Sequence, residues 1–205
     1  MMTHDLNIHH RRSIRLKGYD YSQAGVYYVT IIAQDRSCLF GEIVDAEMRR
    51  NDAGKMLQTE WDALCGRFPN IELDEFVIMP NHIHGIIVIT DQSRRGVPVR
   101  PEGISHKDVP PGEWPPATDA THAPTLANIV GAWKSITTDE YIHRVRDANW
   151  TPFPKKLWQR NYWEHIVRND QDLNRIREYI ANNPANWASD ENNPTNIQTR
   201  MDSRV

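Results

Sequence analysis

The sequence predicts an α+β fold, an antiparallel sheet with helices packed on one face. Two observations carry this. Strand pairs alternate with amphipathic helical segments along the chain, and neither GxGxxG nor GxxxxGK[ST], the loops that open parallel nucleotide-binding sheets, occurs. A chain of 205 residues suits one domain with its own core, needing neither disulfides nor a structural metal to fold.

The elements follow in order. Residues 1–25 read as a polar, basic arm holding Arg11, Arg12, Arg15 and Lys17 with no acidic residue among them. Val26–Gln34 is rich in β-branched and aromatic residues, and Cys38–Val44 follows the short polar turn Asp35-Arg36-Ser37, so the two read as a hairpin. Leu57, Trp61, Leu64, Cys65 and Phe68 fall at one helical stripe, opened by a cap at Asp52 and stopped by Pro69. Ile71–Met79 and His82–Thr90 form a second hairpin across Pro80-Asn81.

Residues 91–124 break the pattern. They hold seven of the 13 prolines and no periodicity, as an insertion in the domain would. Thr125 caps a helix whose buried stripe is Leu126, Ile129, Val130, Trp133 and Ile136. The aromatic and basic stretch Trp150–Val167 contains one more short strand. Asp170 opens a last helix with Leu173, Ile176 and Ile180 inward, ended by Asn182-Asn183-Pro184. The domain is thus expected over 26–187, with 188–205 a polar, Asn-rich, flexible tail.

Composition narrows the function classes. No run approaches a membrane span, and the first thirty residues contain no apolar signal-peptide core. Cys38 and Cys65 are too few for a disulfide framework, so a reduced, cytoplasmic protein is expected. The formal net charge of −3 conceals segregation, because Lys155, Lys156 and Arg160 form a second basic cluster, and Arg168, Arg175 and Arg177 a third.

His82-Ile83-His84 is the most informative triplet. On a strand, residues i and i+2 share a face, so both imidazoles project together while Ile83 enters the core. Such a pair suits one divalent metal or one phosphate; a surface or hydrogen-bonded histidine pair is the alternative, since the chain has nine histidines. A His-x-His-x-His phosphate strand is excluded by Ile86. On the last helix Tyr179 and Asn183 are four residues apart and so share a face. They offer a phenol and an amide oxygen together: a nucleophile and a neutral metal ligand, or a boundary tyrosine that wets its hydroxyl.

The segments MPNHIHGIIVI, LANIVGAWKSIT and LWQRNYWEHIVRNDQDLNRIREYIANNPANW closely resemble the single-tyrosine HUH transposases, and more closely the REP-associated tyrosine transposases, from about Tyr27 to Trp187 without the insertion. The resemblance implies a ferredoxin-like sheet of the HUH-endonuclease type and cleavage of single-stranded DNA next to a hairpin. His82 and His84 would then be metal ligands, Asn183 an additional one, and Tyr179 the nucleophile that forms a 5′-phosphotyrosine link. Mg²⁺ or Mn²⁺ is implied, with Mn²⁺ better suited to imidazole. Arg11, Arg12, Arg15, Lys155, Lys156 and Arg160 are candidate DNA-backbone contacts, and Trp158, Tyr162 and Trp163 candidate base stackers. His165 matches the block without an assigned role. One tyrosine per chain permits a monomer or a homodimer. Two other classes are weighed: a catalytically silent DNA-hairpin binder, and a metal-dependent phosphoesterase that does not use Tyr179.

Overall fold

The computed structural model describes residues 18–90 and 124–196. Its six strands are β1 (Gly25–Ile32), β2 (Gly41–Val44), β3 (Glu47–Arg50), β4 (Ile71–Ile78), β5 (His82–Ile89) and β6 (Trp163–Val167). The helices are α1 (Asp52–Asp62), the single turn α2 (Leu64–Arg67), α3 (Leu126–Asp147) and α4 (Asp170–Asn182). Four strands form one sheet in the order β4-β5-β1-β6, every neighbouring pair antiparallel. With α1 between β1 and β4 and α3 between β5 and β6, this is the β-α-β-β-α-β ferredoxin-like arrangement.

The alternation along β1 and β5 divides the core in two. Tyr27, Val29, Ile31, Ile83 and Ile87 face α1 and α3, meeting Leu57, Trp61, Leu64, Leu126, Ile129, Val130 and Trp133. Gly85 lies on that same face, where a Cβ would run into Trp61 Cζ2 and Cη2, so the glycine lets α1 close on the sheet. On the other face Tyr28 and Ile86 meet Ile176 and Ile180 of α4. Arg177 fastens α4 to the edge strand, its Nε 2.8 Å from Asp74 Oδ1 and its Nη2 2.5 Å from Asp74 Oδ2.

Several boundaries differ from the expectation. Cys38–Val44 does not pair with β1; β2 pairs with β3 in a separate two-stranded ribbon. The ribbon turns at Asp45 and Ala46, both left-handed at φ 54° and 64°. That backbone favours glycine or asparagine, which hides the turn from a sequence reading. Asn51 rather than Asp52 caps α1, accepting from Gly54 N. Cys65 is exposed while Leu64 and Phe68 are buried. In α3 the buried stripe continues through Thr137 and Tyr141, and Ile136 is half-buried.

The expected flexible tail begins with packed structure. A 3-10 turn at Trp187–Ser189 leads to Asp190, Asn192 and Asn193, and the latter two are buried. The polar composition that suggested a loose tail serves hydrogen bonds instead, with Asn193 Nδ2 reaching Trp187 O and Asn196 Nδ2 reaching Ala188 O. The basic residues Arg11, Arg12 and Arg15 and the proline-rich stretch 91–123 lie outside the described residues. No described helix is long and apolar enough to cross a membrane.

Candidate active site

The site forms on the α4 face of the sheet, because pleating sends His82, His84, Tyr28, Thr30, Trp163 and His165 to one side. The register places His84 opposite Thr30 and Thr30 opposite Trp163, a single row across three strands. The next row is Ile86, Tyr28 and His165. Both metal-candidate histidines are buried.

A chain of hydrogen bonds fixes the tautomer of His82. Asn81, fully buried at the turn before β5, donates both amide hydrogens, to Arg36 O at 2.9 Å and Asn192 O at 2.8 Å. Its Oδ1 must therefore be what His82 Nδ1 meets at 2.8 Å, and only Nδ1–H can complete that bond. The His82 Nε2 lone pair is left to face inward. His84 Nδ1 lies 2.7 Å from the Tyr28 hydroxyl and 2.9 Å from Thr30 Oγ1, which turns its Nε2 toward the same point. A second hydrogen-bonded shell of this kind orients imidazoles in metal sites.

The two Nε2 atoms are 3.0 Å apart. Two donors about 2.1 Å from one ion and at right angles to each other are separated by about 3.0 Å, so the spacing suits an octahedral cation. Asp190 adds a carboxylate, its Oδ2 3.7 Å from His82 Nε2, and these three residues make up a potential metal-binding cluster among the described residues. Asn183 Oδ1 is buried and has no hydrogen-bond partner, as a waiting oxygen ligand would be. The residues present fit a divalent cation.

Burial governs the electrostatics. Desolvation, aided by the charge of Arg36, lowers the His82 pKa to about 3, and desolvation with the neighbouring His82 lowers His84 well below the ordinary imidazole value. Both rings are neutral, as metal ligands must be. The Asp190 contact is consequently a shared donor set rather than an ion pair. Burial also raises the Asp190 carboxyl.

Tyr179 stands over this cluster, its ring centroid 5.4 Å from that of His84 and 6.4 Å from that of Tyr28. It is 49% exposed, so part of the side chain is open to solvent or a ligand. Partial burial raises its pKa and the carboxylates of Asp190 and Glu191 add to that, while hydrogen bonds with Asn183 and Tyr28 act in the opposite direction. A cation between the histidines would oppose the two carboxylates.

Of the other candidate residues, Lys155, Lys156 and Arg160 are exposed in the segment between α3 and β6. Trp158 is a core residue, 5.1 Å from both Phe40 and Trp133 by ring centroid, with its Nε1 bonded to Thr137 Oγ1. It is removed from the set of base stackers, whereas Trp163 is exposed. Sequence reasoning missed Asn81, which read as turn chemistry, and Asp190, which fell in the supposed tail. The signal for Asn81 is its place directly before the paired-histidine strand.

No protein-family model matches the chain. An uncharacterized protein of Haemophilus influenzae is 37% identical over 191 residues, covering 92% of this chain and 96% of that protein. A second Haemophilus influenzae protein, named "Putative REP-associated tyrosine transposase", is 23% identical over 168 residues, covering 80% of this chain and 73% of that one. Among solved structures, a REP-associated tyrosine transposase bound to a REP hairpin aligns with a TM-score of 0.48 at 18% identity, covering 83% of this chain and 72% of that one. A transposase-like protein from Deinococcus radiodurans aligns with a TM-score of 0.38 at 16% identity, covering 82% and 95%. The chain belongs to one family with the uncharacterized Haemophilus influenzae protein, and it resembles the REP-associated tyrosine transposases.

Proposed function

We propose that the protein is a metal-dependent, single-tyrosine transposase-type enzyme that cleaves and rejoins single-stranded DNA next to hairpins. The observation that carries this reading is the half-exposed Tyr179 ring 5.4 Å from His84, beside paired imidazoles whose Nε2 atoms are 3.0 Å apart. A phenol on this spot has little to do for packing and much to do for a phosphate.

The chemistry balances without an external energy source. Tyr179 Oη bonds to phosphorus, the bond from phosphorus to the 3′ oxygen breaks, and the phenolic proton is passed through solvent to the departing 3′-hydroxyl. The product is a 5′-phosphotyrosine, and attack by another 3′-hydroxyl reverses the step and joins strands. A divalent ion, Mg²⁺ or Mn²⁺, held by His82 and His84 with Asn183 and Asp190 as oxygen donors, would withdraw charge from the scissile phosphate. Asn81 and Tyr28 orient the two imidazoles. Burial holds the Tyr179 pKa up, and Asn183 and Tyr28 beside it offset part of that rise. Lys155, Lys156 and Arg160 would contact the DNA backbone, as would Arg11, Arg12 and Arg15 of the N-terminal arm.

The test is incubation with a panel of hairpin oligonucleotides and Mn²⁺. The expected product is a denaturation-resistant protein–DNA adduct whose mass maps to Tyr179 and which Tyr179→Phe abolishes with DNA binding intact. Binding by the parent protein with no adduct under any metal makes it a silent hairpin binder. Hydrolysis that survives Tyr179→Phe makes it a phosphoesterase.

A further inference from the structure

Among the described residues two large apolar side chains are exposed, Tyr179 and Trp163, and they flank the same buried ring. Trp163 meets Tyr28 edge-on with centroids 5.4 Å apart, while Tyr179 meets it on another side at 6.4 Å. Trp163 begins β6, an outer strand of the sheet, and is 48% exposed. An indole left half in water on a folded surface forfeits apolar burial that a purely structural tryptophan would gain.

Its support is rigid. His165, two residues along the same face, lies parallel to the indole at 5° with centroids 6.1 Å apart. His165 Nε2 is held 2.8 Å from Asp172 Oδ2. Asp172 is itself fixed, its backbone N–H donating to the Asn169 cap and its Oδ1 accepting from Arg175 Nη2 at 2.6 Å. Ring, carboxylate and cap together hold a flat aromatic surface at the start of an edge strand. The flanking segment is basic, with exposed Arg160 three residues earlier.

The distance to the metal-candidate histidines is set by the sheet. His84, Thr30 and Trp163 occupy one cross-strand row, so two strand spacings, about 10 Å, separate the backbone of His84 from that of Trp163. Side chains on one face lean over that gap, and Tyr28 bridges it through ring contacts. A nucleotide whose phosphate lay between the histidines and Tyr179 could set a neighbouring base on the indole.

We propose that Trp163, backed by His165, is a stacking platform for a nucleobase flanking the phosphate that Tyr179 attacks, an assignment that rests on the function proposed above. Stacking accepts any base through its π-face, so the platform holds the strand in position while sequence is read elsewhere. His165 and Asp172 are positioning residues for the indole.

The experiment uses the full chain carrying Tyr179→Phe, which removes cleavage, and a hairpin oligonucleotide with a short single-stranded thymidine flank containing 5-iododeoxyuridine. Ultraviolet cross-linking and peptide mass mapping are expected to locate the adduct on Trp163. In anisotropy titrations Trp163→Ala is expected to weaken binding about 5- to 150-fold, with Trp163→Phe within about threefold of the parent. The dependence of affinity on salt should keep its slope in Trp163→Ala, since no phosphate contact is lost. Cross-links confined to other residues, or unchanged affinity in Trp163→Ala, overturn the platform and leave the strand-transfer reading standing. A parent protein that binds no hairpin probe overturns both.

Discussion

Replacing Asn81 with alanine tests whether the candidate metal site is built from the backbone outward. Asn81 is fully buried and its side chain makes three hydrogen bonds, two to carbonyl oxygens of Arg36 and Asn192 and one from His82 Nδ1. At a net ~1 kcal/mol for each bond, with buried groups left unpaired, the substitution should cost about 2–4 kcal/mol of folding stability. Its second effect is on the ligand. Without Oδ1 to accept from Nδ1, the His82 ring is free to rotate and to change tautomer, and loss of such an outer partner lowers metal affinity about 10- to 100-fold. Asn81→Asp supplies the informative comparison: it keeps an acceptor for Nδ1–H but loses both donors, so stability should fall while His82 stays oriented. Chemical denaturation gives the first quantity, and Mn²⁺ titration by calorimetry at a temperature where all variants are folded gives the second. Equal Mn²⁺ affinities in the parent and in Asn81→Ala would refute the orienting role of Asn81.

Two further outcomes are expected. Gly85→Ala places a methyl group against the Trp61 indole and should destabilise the protein by about 1–3 kcal/mol, measured by thermal unfolding with the Trp61 environment followed by fluorescence; a neutral effect would mean that α1 does not press on β5 as described. His82 is held neutral down to about pH 3 against an ordinary value of 6.5, and His84 is lowered too. The unfolded chain therefore binds protons that the native state refuses, so the metal-free protein should be fully stabilised above about pH 6.5 and lose up to ~1.4 kcal/mol per pH unit per histidine as pH falls through that window. The raised carboxyl of Asp190 offsets part of this loss. Denaturation midpoints that stay level between about pH 6.5 and pH 5 would contradict neutral burial of the pair.

What the sequence made legible followed from periodicity. The i, i+2 spacing of His82 and His84 sent both rings to one face, and the i, i+4 spacing of Tyr179 and Asn183 brought a phenol and a buried amide together. Those relations are local, and local geometry survives folding. The ribbon β2–β3 escaped because Asp45 and Ala46 adopt left-handed backbone without glycine, paying strain that pattern rules assume is avoided. Asp190 and Asn192 escaped because their partners, His82 and Asn81, lie over a hundred positions away, as the Asn81–Asn192 separation of 111 shows. Trp158 and Trp163 look alike in sequence, yet a β-bridge from Ala33 to Trp158 draws one indole inward, and the first position of β6 leaves the other outside.

The central position of β1 has a consequence for how the site comes into being. Its two neighbours, β5 and β6, arrive from residues 82–89 and 163–167, so the row through His84, Thr30 and Trp163 unites three remote stretches of polypeptide. A ribosome-bound chain has both imidazoles long before it has the strand bearing the indole or the helix bearing the phenol. Non-local pairing of this sort is slow to form, so the row is complete only once β6 has joined β1. The proposed chemistry thus depends on the assembled sheet and on none of its three stretches by itself.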